Sequence, residues 1–282
     1  MRVRLAREGT EVTRQAARAV DATVFRFFRL ALASMRPAQW TKNLFVLAPL
    51  LFGGKLGDFR AIDAAFFACA AFCLASSALY ILNDIFDRPA DQLHPTKRRR
   101  PIASGRLSVT AASLVCAALL LSAGGMALAL GDVFLSLVAV YCGLTLAYCL
   151  ALKHVILVDA LLIATGFVVR VAGGAVAIQV EASHWLIVCA FLLALYLTFA
   201  KRRQELILMR GRAVVHRRVL GQYSAGYLDQ VNNILLGAAI VCYALYAVAP
   251  DTIARFGTGA LIYGTVFVVY GLLRYMMLVH SG

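Results

Sequence analysis

Long apolar runs alternate along the chain with short polar segments that carry most of its charged residues. Each run has about the 20 residues that an α-helix needs to cross a bilayer. Helices are expected because the bilayer interior cannot hydrogen-bond an open backbone, and because a membrane β-barrel would show shorter segments of alternating polarity. The runs predict about eight spanning helices, at residues 38–57, 61–83, 109–130, 132–151, 156–180, 184–200, 231–249 and 258–279.

The composition supports the same class of protein. Of the 282 residues, 62% are hydrophobic and 15% are charged, which is far from the average soluble domain. The predicted fold class is therefore all-α, a polytopic helical bundle in a membrane. Residues 1–34 alternate bases with apolar residues and are expected to form an amphipathic, basic N-terminal arm on the membrane surface, whereas residues 35–282 form the bundle. The seven cysteines lie in apolar runs, where packing is expected rather than disulfides or zinc.

The distribution of basic residues predicts the orientation of the bundle. Eight spans would place both chain ends on one side of the membrane, with most of the 28 Lys and Arg residues, and only Lys55, Arg60 and Arg255 opposite them. The positive-inside rule then predicts a multi-pass protein of a bacterial cytoplasmic membrane, with its large loops in the cytoplasm. The net charge of +14 does not indicate nucleic acid, because the bases lie beside membrane spans, where anionic lipids and phosphorylated substrates are nearer partners.

A stripe of acids follows the second apolar run, in the stretch "NDIFDRPAD". If the helix continues past Asn83, then Asp84, Asp87 and Asp91 occupy positions i, i+3 and i+7 and share one face. Three carboxylates so close repel one another unless a cation lies among them, and magnesium carrying a diphosphate is the simplest candidate. Asn83 can add a neutral oxygen ligand or donate to phosphate. Pro89 is expected to bend the helix, which makes Asp91 the least secure member.

Bases on the predicted cytoplasmic side are the candidates for phosphate contacts. A lipid phosphate and a second phosphorylated substrate would need separate cationic pockets, and Lys42, Lys201 and Arg202 are assigned to the lipid. For any one base, snorkelling to lipid headgroups is an equal alternative, just as a solvated loop is the alternative for the acidic stripe. The full set is Lys42, Lys97, Arg100, Lys153, Lys201 and Arg202.

Two further charges, Asp159 and Arg170, lie at the edge of or inside one predicted span. An unpaired charge at this depth is costly, so each is expected to face the bundle or a partner, and a structural pair is one interpretation. Charges spread through the membrane depth would indicate a transporter or a lipid flippase. Here nearly all charges lie at one face, which disfavours that class.

The acidic stretch resembles the N-D-x-x-D-x-x-x-D motif of the UbiA-type intramembrane prenyltransferase superfamily. Further stretches resemble, in order, the decaprenyl-phosphate phosphoribosyltransferase branch of that superfamily. They are "RPAQWTKNLFVLAPLLF", "HPTKRRRPIASG", "LKH", "RVAGG", "FAKRRQEL" and "QYSAGYL". The resemblance covers the chain from about Arg36 to Arg274.

The resemblance implies a magnesium-dependent membrane enzyme that transfers 5-phosphoribose from phosphoribosyl diphosphate to a polyprenyl (decaprenyl) phosphate, releasing diphosphate. The product would lead towards a lipid-linked arabinofuranose donor. Asp84, Asp87 and Asp91 would hold Mg²⁺ on the leaving diphosphate, and Asn83 would orient it. The lipid phosphate is already anionic at neutral pH, so no strong general base is needed. Membrane lipids are expected partners, and a homo-oligomer is left open.

Two departures from the superfamily pattern bear on this interpretation. Aromatic prenyltransferases of the superfamily use a second Asp-rich motif, whereas the corresponding residues 201–205 read "KRRQE". A second magnesium clamp is therefore not expected, which disfavours the main alternative, transfer of a polyprenyl chain from its diphosphate to an aromatic acceptor. The chain also ends soon after "LLRYMMLVH", where the superfamily usually has a ninth span. Either this member lacks that helix or the chain is shortened.

Overall fold

The computed structural model describes residues 23–208 and 220–281. Over these residues the chain forms helices and connecting turns, with no β-strand, which confirms the all-α class. The predicted N-terminal arm lies largely outside the described residues, and its described part belongs to a helix, α1, over residues 23–35. The division of the chain into an arm and a bundle stays a prediction.

Seven of the described helices are long and apolar enough to cross a membrane, so the chain is a multi-pass membrane protein. Six of them are α3 (Phe59–Phe86), α5 (Val109–Ala129), α6 (Asp132–Leu150), α7 (Val158–Ala177), α8 (His184–Leu208) and α9 (Ala225–Val248). The seventh joins the 3-10 segment Ala260–Gly264 to α11 (Thr265–Ser281). The shorter helices are α2 (Ala48–Phe52), α4 (Arg88–Leu93) and α10 (Pro250–Phe256).

The predicted first span, residues 38–57, differs from a single α-helix. It consists of a 3-10 helix, Pro37–Leu47, followed directly by the five-residue α2 and a turn with Gly54 at a φ of 68°. A 3-10 helix rises about 2.0 Å per residue against 1.5 Å for an α-helix, so this run covers about 30 Å. That length matches the hydrocarbon core of a bilayer. The helical run ends at Phe52, five residues before the predicted end at residue 57, and its winding was not predicted either.

The described chain forms two compact units. The first comprises residues 23–40 together with residues 74–121. Its core is made of residues from α1, the second half of α3, the loop after α4, and α5. The buried members are Leu30, Ala78, Ile81, Ile102, Leu107, Ala112 and Cys116.

The second unit comprises residues 41–73, 122–208 and 220–281. Within it, α8 packs against α7 and α9, and α7 packs against α6. An apolar cluster of α7, α8 and α9 residues fills the space between these helices. Its buried members are Ala160, Ala164, Phe167, Ala194, Leu195, Phe199, Tyr223 and Leu228.

Two glycines of the "RVAGG" stretch allow the helices of the second unit to approach closely. A Cβ on Gly174 would overlap the backbone carbonyl oxygen of Val46, in the 3-10 segment. A Cβ on Gly173 would lie 2.7 Å from the ring of Phe72. Small residues at such contacts let membrane helices pack backbone against backbone. The two adjacent glycines of "RVAGG" are therefore explained by close helix packing.

Arg170 lies inside the second unit and is only 4% exposed. Its Nε donates to Asn43 Oδ1 at 2.7 Å, and its Nη2 donates to the hydroxyl of Tyr141 at 2.8 Å. Its guanidinium also stacks over the Tyr141 ring, 4.5 Å from the centroid. Arg170 therefore faces the bundle interior, as expected. Asp159 instead forms its ion pair with Arg202.

Gly174→Ala is expected to lower the thermal unfolding temperature of the detergent-solubilised protein by several degrees. The added methyl meets backbone, which cannot rotate away, and overpacking typically costs about 1–3 kcal/mol. Gly143→Ala is the matched control, because a Cβ there meets nothing within 4 Å. Differential scanning fluorimetry checks both variants, and an equal response of the two would contradict the close approach.

Candidate functional site

The acidic stripe lies at the junction of α3 and α4. Asp87 stands between the two helices, and its N–H donates to the Asn83 carbonyl at 2.8 Å, while the Asp91 N–H donates to the Asp87 carbonyl at 2.8 Å. These bonds keep helical spacing across the junction. Pro89 lies in the first turn of α4, where its missing N–H is not needed. Asp84 and Asp91 therefore keep the shared face that the i, i+7 spacing predicts.

The side chains of Asp84 and Asp91 converge on one guanidinium. Both acids are 2% exposed, and Nη1 of Arg100 donates to Asp84 Oδ1 at 3.0 Å and to Asp91 Oδ2 at 2.6 Å. Arg36 also forms an ion pair with Asp84, and the Lys97 Nζ lies 3.9 Å from Asp91 Oδ1. Two buried carboxylates are thus surrounded by three cations. Lys97 and Arg100, both predicted from the sequence, take part.

Asp87 has a different partner. Asn83 Nδ2 donates to Asp87 Oδ2 at 3.0 Å, so the amide orients this carboxylate. Asn83 and Asp87 are half-buried, unlike the two buried acids. The structure therefore brings Asp84 and Asp91 onto one cation and holds Asp87 against Asn83.

The donor set fits a magnesium ion that arrives with its substrate. Over the described residues, no three His, Cys, Asp or Glu side chains form a ready metal cage. Mg²⁺ does not require one, because it is usually held by one or two carboxylates plus waters and substrate phosphates. Asp84 and Asp91 both reach a single cationic nitrogen, so both could reach one metal ion in its place.

Arg36 is a member of this cluster that the sequence did not single out. It bonds to Asp84 and stacks over the Tyr80 ring, 5.2 Å from the centroid. Its backbone φ is 54°, a conformation that a non-glycine residue rarely adopts. Such backbone strain is typical of functional sites. In the sequence it appears only as the first residue of "RPAQWTKNLFVLAPLLF", a stretch that resembles the family.

A second polar cluster lies in the second unit and contains Arg202. Arg202 is 3% exposed and Asp159 is 1% exposed, and the two form a buried ion pair. The Tyr223 hydroxyl accepts from Arg202 Nη1 at 3.0 Å and from the Leu157 N–H at 3.0 Å. Burial raises the pKa of Tyr223 above its ordinary value, and the Leu157 hydrogen bond and Arg202 oppose the shift only in part. The phenol therefore stays protonated at neutral pH.

The remaining predicted bases belong to the second unit as well. Lys201 is exposed, next to the buried Arg202. Lys42 and Lys153 are half-buried, the latter in the 3-10 turn Leu152–His154 between α6 and α7. None of these bases belongs to the unit that holds the acidic stripe.

An apolar cavity of about 210 Å³ lies among the helices of the second unit. The 3-10 segment, α2, α8, α9 and α11 contribute to its walls. Aliphatic and aromatic side chains make up nearly all of its surface, a lining typical of a site for an apolar chain. The lining residues are Phe45, Ala48, Phe52, Leu186, Cys189, Ala190, Leu193, Ala239, Tyr243, Tyr246, Val268 and Leu272.

The described helices of spanning length, one of which ends in buried carboxylates and clustered bases, define a helical membrane protein with a polar site at a helix end. The chain belongs to the UbiA prenyltransferase family, whose sequence pattern matches residues 44–282. It is therefore a membrane transferase, as the resemblance of "NDIFDRPAD" implied.

Two relatives and one solved structure place the chain within the family. It is 36% identical over 222 residues to the decaprenyl-phosphate phosphoribosyltransferase of Mycolicibacterium smegmatis, covering 77% of this chain and 70% of the relative. It is 37% identical over 217 residues to the Corynebacterium glutamicum protein of the same name, covering 76% and 65%. A UbiA homolog from Archaeoglobus fulgidus, bound to GPP and Mg²⁺, superposes with a TM-score of 0.71 at 17% identity over 89% of this chain and 87% of that one. The structural match confirms the fold.

Arg100→Gln is expected to make the unfolding temperature depend on Mg²⁺. Without divalent metal the variant unfolds below the wild type, because two buried carboxylates lose their shared cation. Millimolar Mg²⁺ then raises the unfolding temperature of the variant more than that of the wild type, since a ligand of the native state stabilises it. Arg98→Gln is the control, because Arg98 is exposed in the same turn. An equal response of both variants to Mg²⁺ would count against a metal position between Asp84 and Asp91.

Proposed function

We propose that this protein transfers 5-phosphoribose from phosphoribosyl diphosphate to a polyprenyl phosphate and releases diphosphate. The observation that carries the proposal is the identity of 36% and 37% to two decaprenyl-phosphate phosphoribosyltransferases over about three quarters of the chain. Lys201, the exposed base of the stretch that stands in place of a second acidic motif, supports it because two phosphorylated substrates need cations. The product would be a precursor of a lipid-linked arabinofuranose donor.

The acidic stripe is proposed to bind the leaving diphosphate through a metal ion. Asp84 and Asp91 would hold Mg²⁺, with Asp87 as the third carboxylate of the set and Asn83 fixing its orientation. The ion supplies neutralisation of the charge that grows on the diphosphate. Arg100 would give up its place between the acids and donate to phosphate oxygens instead.

The transfer reaction itself involves little proton transfer. An oxygen of the lipid phosphate forms a bond to C1 of the ribose, and the bond from C1 to the diphosphate oxygen breaks with its electron pair leaving on diphosphate. Because the attacking oxygen is already anionic, the protein contributes positioning and charge stabilisation rather than a general base. Arg36 and Lys97, which pair with the two acids, would donate to the same phosphates.

The bases of the second unit are proposed to bind the other phosphates. Lys42 and Lys201 are assigned to the lipid phosphate, and Lys153 to the 5-phosphate of the sugar. Arg202 was predicted to join the lipid pair, but it bonds to Asp159 and Tyr223, so we assign it a positioning role. Part of the polyprenyl chain would occupy the apolar cavity of this unit.

The site is proposed to face the cytoplasm in a bacterial cytoplasmic membrane. The distribution of Lys and Arg supports this orientation through the positive-inside rule. A sugar that carries a diphosphate and a phosphate does not cross a bilayer unaided, so the site must open to the compartment that supplies it.

A transfer assay tests the proposal. Purified protein incubated with labelled phosphoribosyl diphosphate, decaprenyl phosphate and Mg²⁺ is expected to yield a labelled lipid, detected after organic extraction. Absence of labelled lipid, together with prenylation of an aromatic acid from a polyprenyl diphosphate, would overturn the proposal in favour of the aromatic prenyltransferase alternative.

Neutralising one acid of the stripe is expected to abolish most turnover. Asp84→Asn and Asp87→Asn should each lower kcat by at least about a hundredfold, because each removes charge that stabilises the departing diphosphate. Asp63→Asn on the same helix is the control, since Asp63 is exposed. Size-exclusion profiles verify that the variants remain folded. Wild-type activity in both stripe variants would refute the assignment.

A further inference from the structure

The connection between α6 and α7 contains a strained turn at Leu157. Leu157 has φ 66° and ψ −44°, and the Val158 N–H donates to the Ile156 carbonyl at 2.8 Å. This i to i+2 bond around a residue with positive φ is the rare and strained form of the γ-turn. A bulky residue seldom adopts it. The Leu157 side chain is 40% exposed, so its own burial contributes little to holding the turn.

A side chain distant in the sequence contacts this turn. The Tyr223 hydroxyl accepts the Leu157 N–H at 3.0 Å, across 66 positions of the chain. Tyr223 is 5% exposed, and its ring packs edge-on against Phe199 and stacks on Tyr227. These contacts hold the aromatic ring in place independently of the hydrogen bond that its hydroxyl makes to the backbone.

Leu157, Tyr223, Arg202 and Asp159 are joined by successive contacts, and we name this set of four residues the Tyr223 clamp. Arg202 donates to the Tyr223 hydroxyl and pairs with Asp159, which lies two residues after the strained turn. The Asp159 N–H donates to the Val155 carbonyl at 3.2 Å, so the acid is tied to the same connection. The turn is thus linked to the buried ion pair in two ways, through the Tyr223 hydroxyl at Leu157 and through the backbone at Asp159.

The clamp acts on the segment that carries Lys153. The 3-10 turn Leu152–His154 ends three residues before Leu157. A change of φ at Leu157 would redirect this short connection relative to α7. The direction of the Lys153 side chain therefore depends on a backbone conformation that its own sequence does not favour.

We infer that Tyr223 is a positioning residue, which holds the strained turn at Leu157 and thereby aims Lys153 at a substrate phosphate. Arg202 and Asp159 act through Tyr223 rather than by touching substrate. The role of Lys153 rests on the proposed function, whereas the clamp itself does not.

The first test is a double-mutant cycle on stability, with Tyr223→Phe and Leu157→Gly in the full-length protein in detergent. Tyr223→Phe removes the acceptor and is expected to lower the unfolding temperature by several degrees. Leu157→Gly is expected to leave it unchanged or raise it, because glycine adopts positive φ without strain. In the double variant the loss should be smaller than in Tyr223→Phe alone, because the strain at Leu157 is gone while the donors of Leu157 and Arg202 still lack the hydroxyl.

The second test separates positioning from a purely structural contact. Tyr223→Phe should raise the KM for phosphoribosyl diphosphate about tenfold, the factor that corresponds to about one lost hydrogen bond, with kcat within about twofold. Adding Leu157→Gly should restore most of the KM. Lys153→Gln should raise the same KM and show no further increase when combined with Tyr223→Phe. Tyr227→Phe, which keeps the stacked ring, is the control.

The outcomes are distinguishable. Additive losses of unfolding temperature in the cycle, or an unchanged KM in Tyr223→Phe, would overturn the positioning role. If the wild type transfers no phosphoribose, the proposed function fails, while the stability cycle still tests the clamp.

Discussion

An ionised side chain buried in a membrane bundle needs a partner, and this requirement accounts for the contacts of the buried charged residues that the structure describes. Two unit charges 4 Å apart interact by about 1 kcal/mol in water and by about 4 kcal/mol at an effective dielectric constant near 20. Leaving one of them alone in such surroundings is correspondingly costly. Asp84 and Asp91 share Arg100, and Asp159 pairs with Arg202. Arg170 is held by neutral groups and an aromatic face.

The same requirement determines how the acidic stripe could accept its ligands. With Arg36, Lys97 and Arg100 in place, the two buried carboxylates are already compensated. A divalent ion added alone would meet excess positive charge. A metal that arrives with a polyanionic diphosphate would not, because the released cations gain phosphate oxygens as new partners. Pairing in the absence of substrate is thus compatible with exchange of partners when substrate binds.

The sequence predicted the features that depend on local spacing. Apolar runs of spanning length predicted the helices, and the i, i+7 spacing predicted that Asp84 and Asp91 share a face, which the bonds to Arg100 show. The 3-10 winding of residues 37–47 was not predictable, because the apolar pattern of a short run does not distinguish it from an α-helix. Arg36 and Tyr223 were missed for another reason. Both lie in stretches that resemble the family, but each meets its partner across dozens of residues, and local spacing does not show which partner that is.

The 3-10 segment has a geometric effect on the apolar cavity beside it. With three residues per turn, side chains three positions apart stand directly above one another instead of winding around the axis. Phe45 and Ala48, at the end of this segment and the start of α2, both line the cavity and are three positions apart. Both side chains therefore contribute to the same wall, so an extended apolar ligand in the cavity would meet them one after the other.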